Sequence, residues 1–347
     1  MVYSFASDYS EGCHPSILEA LAAMNFEQNP GYGVDKHTME AAAMIREIVQ
    51  QPNADVHLMV GGTMVNSIAI DLALRPYEAV ISPTTGHINT LETGCAERFG
   101  HKILTTEGVN GKLTAERIDS ILKSYDCVHM PVPKLVYITN TTEIGTIYTK
   151  EELSEVSQFC RQNGLYLFMD GARLPSALMA SGNDLTLPDI ASMVDAFTIG
   201  LGKSGALFGE ALVIMHDNLK PGARHLIKQH AGLLSKGWLI GVQFKALLHD
   251  NIYLKLAEHA NRTAMILKRG IQSCGYAFWT DSMTNIQFPI LPPHVVKQLD
   301  EHFASHVEKV LPHGGMVVRF CTSWATKEEE CVRFVEMLRE ITNKGQN

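Results

Sequence analysis

Two apolar runs, Phe197-Thr198-Ile199 and Ala211-Leu212-Val213-Ile214-Met215, stand on either side of a glycine-rich stretch, Gly200-Leu201-Gly202-Lys203-Ser204-Gly205-Ala206-Leu207-Phe208-Gly209-Glu210. Runs this short and this apolar read as buried strands, and the glycines read as the turn between them. The turn presents one lysine. An ammonium is strongly hydrated, so holding it at the mouth of a buried strand costs free energy unless a partner or a covalent bond compensates. Two readings compete for it. A phosphate loop of the G-x-x-x-x-G-K-[ST] type needs glycine at 197, where the chain has Phe197, and a helix after Ser204, where it returns to a strand. The other is a Schiff-base lysine, the anchor of an aldehyde cofactor.

The chain around this turn alternates. Apolar runs predict strands at 78–82, 101–105, 134–139, 165–170, 195–199 and 211–215, with an earlier short run at 57–60. Helical spacing predicts helices at 15–24, 38–50, 88–98, 114–123 and 150–163. The last opens on a capping box, Thr149-Lys150-Glu151-Glu152, and stops at Gly164. Strand–helix alternation with short turns means an α/β fold, a mainly parallel sheet covered by helices. Beyond about 220 the pattern changes to long helices at 222–249 and 252–272. After them come an extended stretch 285–290, a helix 293–309, a strand 316–320 and a capped helix from Thr326. These divisions predict a large domain over 1–249, including the N-terminal segment, and a smaller α+β domain over 250–347.

The chain's 347 residues suffice for such a pair of domains. Its 29 Lys and Arg against 37 Asp and Glu leave a net charge of −8, with no basic run, which excludes a nucleic-acid or anionic-membrane surface. No stretch approaches the roughly 20 apolar residues of a membrane helix. The start, Met1-Val2-Tyr3-Ser4-Phe5, has neither the basic nor the apolar region of a signal peptide. Seven cysteines, an odd number with no C-x-x-C pair, point to free thiols and not to a disulfide or zinc framework. The expectation is a soluble, cytoplasmic protein without a structural metal.

Two further stretches carry chemistry. Asp170 ends an apolar strand and opens Asp170-Gly171-Ala172-Arg173. In open α/β sheets ligands sit at the carboxyl ends of strands, and an ionised carboxylate there needs a cation, a helix N-terminus to cap, or a ring nitrogen to hold protonated. Gly61-Gly62-Thr63 breaks the run at 57–60, and Val65, Ile68, Ala69 and Leu72 then recur at helical spacing. A strand, a glycine turn and a helix N-terminus in that order form an anion site of free backbone N–H groups.

Gly62-Thr63, Asp170-Gly171-Ala172-Arg173 and Lys203, in this order, resemble the fold-type-I enzymes that use pyridoxal 5′-phosphate. Ser7-Asp8, Tyr32-Gly33, Asn66, His87 and Arg319 narrow the resemblance to the threonine aldolase and β-eliminating lyase family, over nearly the whole chain. The resemblance implies a carbon–carbon lyase that splits β-hydroxy-α-amino acids such as L-threonine into glycine and an aldehyde. It implies that Lys203 carries the cofactor, Asp170 pairs with its ring nitrogen, and Gly62 and Thr63 bind its phosphate. His87 would lie against the ring and serve as an acid or base, Arg173 would touch cofactor or substrate, and Arg319 and Ser7 would bind the substrate carboxylate. A homodimer or homotetramer with shared sites is implied as well, with Tyr32 and Lys236 as candidates for reaching across the interface.

The chain departs from the family pattern in the lysine turn, which reads Gly202-Lys203-Ser204-Gly205 in place of Ser-Lys-Gly, and in a second stretch. An Asn-Thr-His-Asn-like stretch is replaced by Asn140-Thr141-Thr142-Glu143-Ile144-Gly145, so Glu143 stands near the place of a histidine and becomes a candidate substrate-binding residue. That keeps two other readings in view: β-elimination, and cleavage of a bulkier β-substituted amino acid. A non-catalytic cofactor-binding regulator is a third, and it predicts loss of the lysine or the aspartate, both of which are present.

Overall fold

The computed structural model describes residues 2–344. A short strand β1 (Tyr3–Ser4) precedes helices α1 (Pro15–Ala23) and α2 (Lys36–Ile48), then strand β2 (Asp55–Met59) and helix α3 (Gly62–Ala73). Strands β3 (Glu78–Pro83), β4 (Lys102–Thr106), β5 (Val132–Thr139), β6 (Tyr166–Asp170), β7 (Ala196–Gly200) and β8 (Glu210–Ile214) follow. Between them lie α4 (His87–Thr90), α5 (Ala115–Ser124), α6 (Lys150–Gln162), α7 (Leu174–Leu178) and α8 (Leu187–Met193). The strands form one sheet in the order β2-β8-β7-β6-β5-β3-β4. All neighbours from β7 to β4 are parallel, and β8 runs antiparallel to both β7 and β2.

Successive side chains of a strand point to opposite faces, so each central strand supplies two cores. Val136, Ile138, Leu167 and Met169 pack with Leu153, Val156 and Cys160 of α6 on one face. Leu135, Tyr137 and Phe168 pack with Val65, Ile68 and Ala69 of α3 on the other. Burial on both faces explains why these strands read as unbroken apolar runs. The capping box of α6 is present, with Thr149 and Glu152 each accepting the other's backbone N–H.

The remainder comprises α9 (Ala223–Gln229), α10 (Trp238–Leu248), α11 (Ile252–Ser273), β9 (Ile286–Gln287), β10 (Ile290–Leu291), α12 (Pro293–Leu299), β11 (Phe303–Ala304), β12 (His306–Val310), β13 (Met316–Cys321) and α13 (Glu328–Lys344). Strand β13 is the centre of a small antiparallel sheet, paired with β9, β10 and β12. Phe5, Phe303, Phe320 and Phe334 build its core, with ring centroids 5.0–6.4 Å apart. We propose the division between the two units at residue 249, at the 3₁₀ turn His249–Asn251 that joins α10 to α11. The N-terminal strand β1 pairs in parallel with β11 and so reaches across to the C-terminal part.

Four expected elements differ. The helix expected at 88–98 is only the single turn α4, because Thr93 and Gly94 take positive φ (54° and 73°) and end helical continuation. The helix expected at 222–249 is two helices, broken where Ala231 adopts φ 61°. The extended stretch 285–290 is split into β9 and β10 around Pro289, which has no N–H to give a ladder. The helix expected at 293–309 stops at Leu299, and the chain turns into β11 and β12, because Phe303 is fully buried against Phe5 and His306–Val310 pairs with β13. No helix among the described residues is long and apolar enough to cross a membrane.

Candidate active site

The C-terminal ends of β3, β5, β6 and β7 lie side by side, and the loops leaving them surround a cavity of about 400 Å³. Lys203 reaches it from the turn after β7. That turn is closed by its own backbone, Ser204 N–H to Leu201 O at 2.7 Å and Leu201 N–H to Gly209 O at 2.9 Å. Gly205 has φ +93°, and a Cβ there would lie 2.5 Å from Leu256 Cδ1, so glycine is required by conformation and by space. No helix follows the lysine, and β8 begins at Glu210, which disposes of the phosphate-loop reading. The Lys203 side chain enters no hydrogen bond or ion pair among the described residues. Burial depresses its pKa and the nearby Arg173 charge adds to the effect, against the opposing pull of Asp8, Asp170 and Glu210.

Asp170 ends β6 and is buried. Its Oδ1 accepts the Ala172 N–H at 2.8 Å, and its Oδ2 accepts from Asn66 Nδ2 at 2.7 Å and from Tyr137 OH at 2.9 Å. The Asn66 amide is shared, since it also donates to Glu92 Oε1 at 2.8 Å. Glu92 in turn accepts the His87 Nδ1–H at 2.7 Å. A continuous chain of hydrogen bonds therefore runs from His87 through Glu92 and Asn66 to Asp170, fixing the imidazole with its other nitrogen away from the carboxylate. Tyr137 is held as a neutral phenol, its pKa pushed well above the ordinary value by burial and by Asp170.

The N-terminus of α3 forms the far wall. Gly61 is its N-cap in an extended conformation (φ −173°) with no side-chain cap, so the first-turn N–H groups face the cavity without an intrahelical partner. A Cβ placed on Gly61 or Gly62 would meet nothing within 4 Å; the space over this turn is open. An open, uncapped helix N-terminus suits a phosphate. The donor set thus fits pyridoxal 5′-phosphate. A lysine without a hydrogen-bond partner, a buried carboxylate oriented by three hydrogen bonds, and an open anion cradle face one cavity.

Arg173 follows Asp170 and forms a bidentate pair with Asp8, Nε to Oδ2 at 2.6 Å and Nη2 to Oδ1 at 3.0 Å. Asp8 also accepts from Asn285 Nδ2 at 2.8 Å. Burial alone would raise the Asp8 pKa, but the guanidinium and these hydrogen bonds hold it below the usual range. Glu143, on the loop after β5, is half-buried, and its Oε1 accepts the His87 backbone N–H at 2.8 Å while Oε2 accepts the Thr139 hydroxyl at 3.0 Å. Burial lifts its pKa to about 7. Gly62, Thr63, His87, Glu143, Asp170, Arg173 and Lys203 all line the cavity. Two expected residues do not: Ser7 hydrogen-bonds Ser10 at 2.9 Å, and Arg319 in β13 has Glu308 3.7 Å from Nη1 and a buried Nε without a partner.

Sequence reasoning missed three buried members of the site. Glu92 and Tyr137 look like ordinary loop and strand residues, and only their folded neighbours single them out. Glu210 opens a fully buried strand, a placement costly enough for a carboxylate to have been a signal. Burial and the charge of Asp170 raise its pKa to about 8, and its Oε1 has no hydrogen-bond partner.

Comparison with known proteins agrees with this geometry. The family described as Beta-eliminating lyase matches residues 4–291. A low specificity L-threonine aldolase of Pseudomonas aeruginosa is 31% identical, the match covering 97% of this chain and 96% of that one. The solved structure of Leishmania major threonine aldolase superposes with a TM-score of 0.97 at 50% identity, covering 98% of this chain and 99% of that chain. A Thermus thermophilus aspartate aminotransferase, at 14% identity and a TM-score of 0.73 over 98% of this chain and 91% of that chain, shares the fold alone. The mainly parallel sheet with its smaller antiparallel companion is the fold-type-I architecture of pyridoxal-phosphate enzymes.

Proposed function

The chain belongs to the beta-eliminating lyase family, and from that premise we propose that it is a pyridoxal 5′-phosphate-dependent lyase that cleaves the Cα–Cβ bond of β-hydroxy-α-amino acids, L-threonine among them, to glycine and an aldehyde. The observation that carries this reading is the convergence of Lys203, Asp170 and the α3 N-terminus on one cavity. Pyridoxal 5′-phosphate, when bound, supplies an aldehyde for covalent attachment and a ring that withdraws the electrons of a breaking Cα–Cβ bond.

Each residue then has a task. Lys203 is the attachment point, and the burial that depresses its pKa favours the neutral, nucleophilic amine. Gly62 and Thr63 offer backbone N–H groups to the phosphate. Asp170, with both oxygens already positioned, keeps the ring nitrogen protonated and so sustains its electron-withdrawing power. His87, held in one orientation by Glu92, would stand against the ring. Arg173 uses Nε and Nη2 on Asp8, which leaves Nη1 for a substrate carboxylate. Arg319 and Ser7, the other residues expected at the carboxylate, lie outside the cavity lining, and Arg319 keeps a buried Nε without a partner. Glu143 faces the substrate side of the cavity. We place Tyr32 and Lys236, both exposed, at a subunit boundary of a cytoplasmic homodimer or homotetramer.

The deciding experiment is an amino-acid screen on the yellow, cofactor-loaded protein with product identification. Glycine plus acetaldehyde from L-threonine is expected, whereas a keto acid from a β-substituted amino acid would favour β-elimination instead. Lys203→Ala should abolish the covalent, borohydride-reducible cofactor; a variant that keeps it would sink the assignment.

A further inference from the structure

Four carboxylates line the cavity; two are committed to hydrogen bonds, and a third, Glu210, is held protonated by burial and the charge of Asp170. Asp170 accepts three hydrogen bonds that orient it. Glu92 accepts from both Asn66 and His87 on one oxygen and is spent on fixing that ring. Glu210 sits at the base of the lysine turn, among Lys203, Asp170 and Gly200. Glu143 differs. It leaves the C-terminal end of β5, the strand between those that deliver His87 and Asp170. Each of its oxygens accepts one hydrogen bond, from His87 N–H and from the Thr139 hydroxyl, and each retains a further lone pair.

Both donors hold the carboxyl in place without neutralising it, and no cation pairs with it among the described residues. We propose that Glu143 is the proton acceptor for the substrate's β-hydroxyl. This rests on the lyase reading above and deepens it. In the step, the β-hydroxyl proton passes to the Glu143 carboxylate as the Cα–Cβ bond breaks. The oxygen's electron pair forms the aldehyde C=O, and the pair of the broken bond is withdrawn from Cα. Protonation at Cα then yields glycine, and Glu143 returns its proton, so the net reaction is amino acid to glycine plus aldehyde. Burial supports the role independently, because a carboxyl that titrates near neutrality is well matched to taking and returning a proton.

The test uses the cofactor-loaded full chain as wild type, Glu143→Gln and Glu143→Asp. In wild type, kcat/KM for L-threonine should fall with decreasing pH below about 7, the carboxylate being the active form. Glu143→Gln should lower it by about 100-fold or more and remove that limb. Glu143→Asp should keep a limb, displaced in pH. Glycine, which has no β-carbon, should bind both variants within about threefold of wild type, read from the absorbance of the bound cofactor. A Glu143→Gln enzyme that retains the limb at a rate within about tenfold of wild type overturns the proposal. So does a loss of glycine affinity as large as the loss of rate, which marks a structural role. Wild type that carries cofactor on Lys203 yet cleaves no β-hydroxy amino acid overturns the functional reading itself, and this inference with it.

Discussion

Replacing Glu210 by Gln should make the cofactor-free protein's stability less sensitive to alkaline pH, by an amount that follows from the burial of this carboxyl. Its pKa of 4.5 when free rises to about 8 in the fold, through burial first and the charge of Asp170 second, with Lys203 opposing. A group whose folded pKa is raised contributes stability that is fully present below the unfolded value and is lost as pH climbs through the folded one. Ionisation of this group in the unfolded chain thus disfavours folding by about 1.4 kcal/mol at about pH 5.5 and by about 4 kcal/mol at about pH 8. Gln has no such term. Its amide meets the same unpartnered surroundings as Glu210 Oε1, a fixed cost of about 1–3 kcal/mol that does not vary with pH. The difference in unfolding free energy between the variant and wild type should therefore shift in the variant's favour by about 3 kcal/mol across that range. Equilibrium urea unfolding of both proteins at a series of pH values measures it directly. Glu143 titrates in both chains and cancels. A difference that stays flat with pH would refute the argument that Glu210 is held neutral by its surroundings.

Two other perturbations test the scaffold of the site. Asp8→Ala removes the carboxylate that Arg173 holds through two hydrogen bonds and leaves a partly buried guanidinium unpaired, so a loss of about 3 kcal/mol in urea unfolding is expected, and a loss below about 1 kcal/mol would count against the pair. Gly171→Ala places a Cβ 2.0 Å from the Thr198 carbonyl oxygen on the neighbouring strand, where no flexible side chain can yield. About 3 kcal/mol or more of destabilisation should follow, together with weaker cofactor retention as Asp170 is displaced; unchanged thermal unfolding would show that β6 and β7 can separate at no cost.

Much of this protein is written in local sequence, and the reason is that its chemistry sits where strands end. A buried strand must be apolar throughout, so Asp170 and Lys203 stand out against their neighbours, and Gly61-Gly62-Thr63 interrupts strand and helix spacing in a way few other structures need. The order of strands and helices, and with it the α/β sheet, follows from periodicity that each segment expresses on its own. Tertiary structure decided what depends on residues far apart in the chain. Phe303 cannot announce that it will pair beside Tyr3 and pack on Phe5, so β11 and β12 look helical until that core exists. Thr93, Gly94 and Ala231 end helices through left-handed backbone conformations that helical periodicity does not reveal. The carboxylates show the same division. Glu92 is an ordinary acid in sequence, Glu143 stands out only as a departure from a family pattern and Glu210 only as an acid opening an apolar run; the low-dielectric cavity assembled by four strand ends separates one that holds a histidine, one poised near neutrality and one kept protonated beside the lysine. The sequence by itself determined which groups could anchor a cofactor, because those groups break a local pattern. The fold decided which acids surround the substrate and in what protonation state, because burial and hydrogen-bond partners are properties of the assembled cavity.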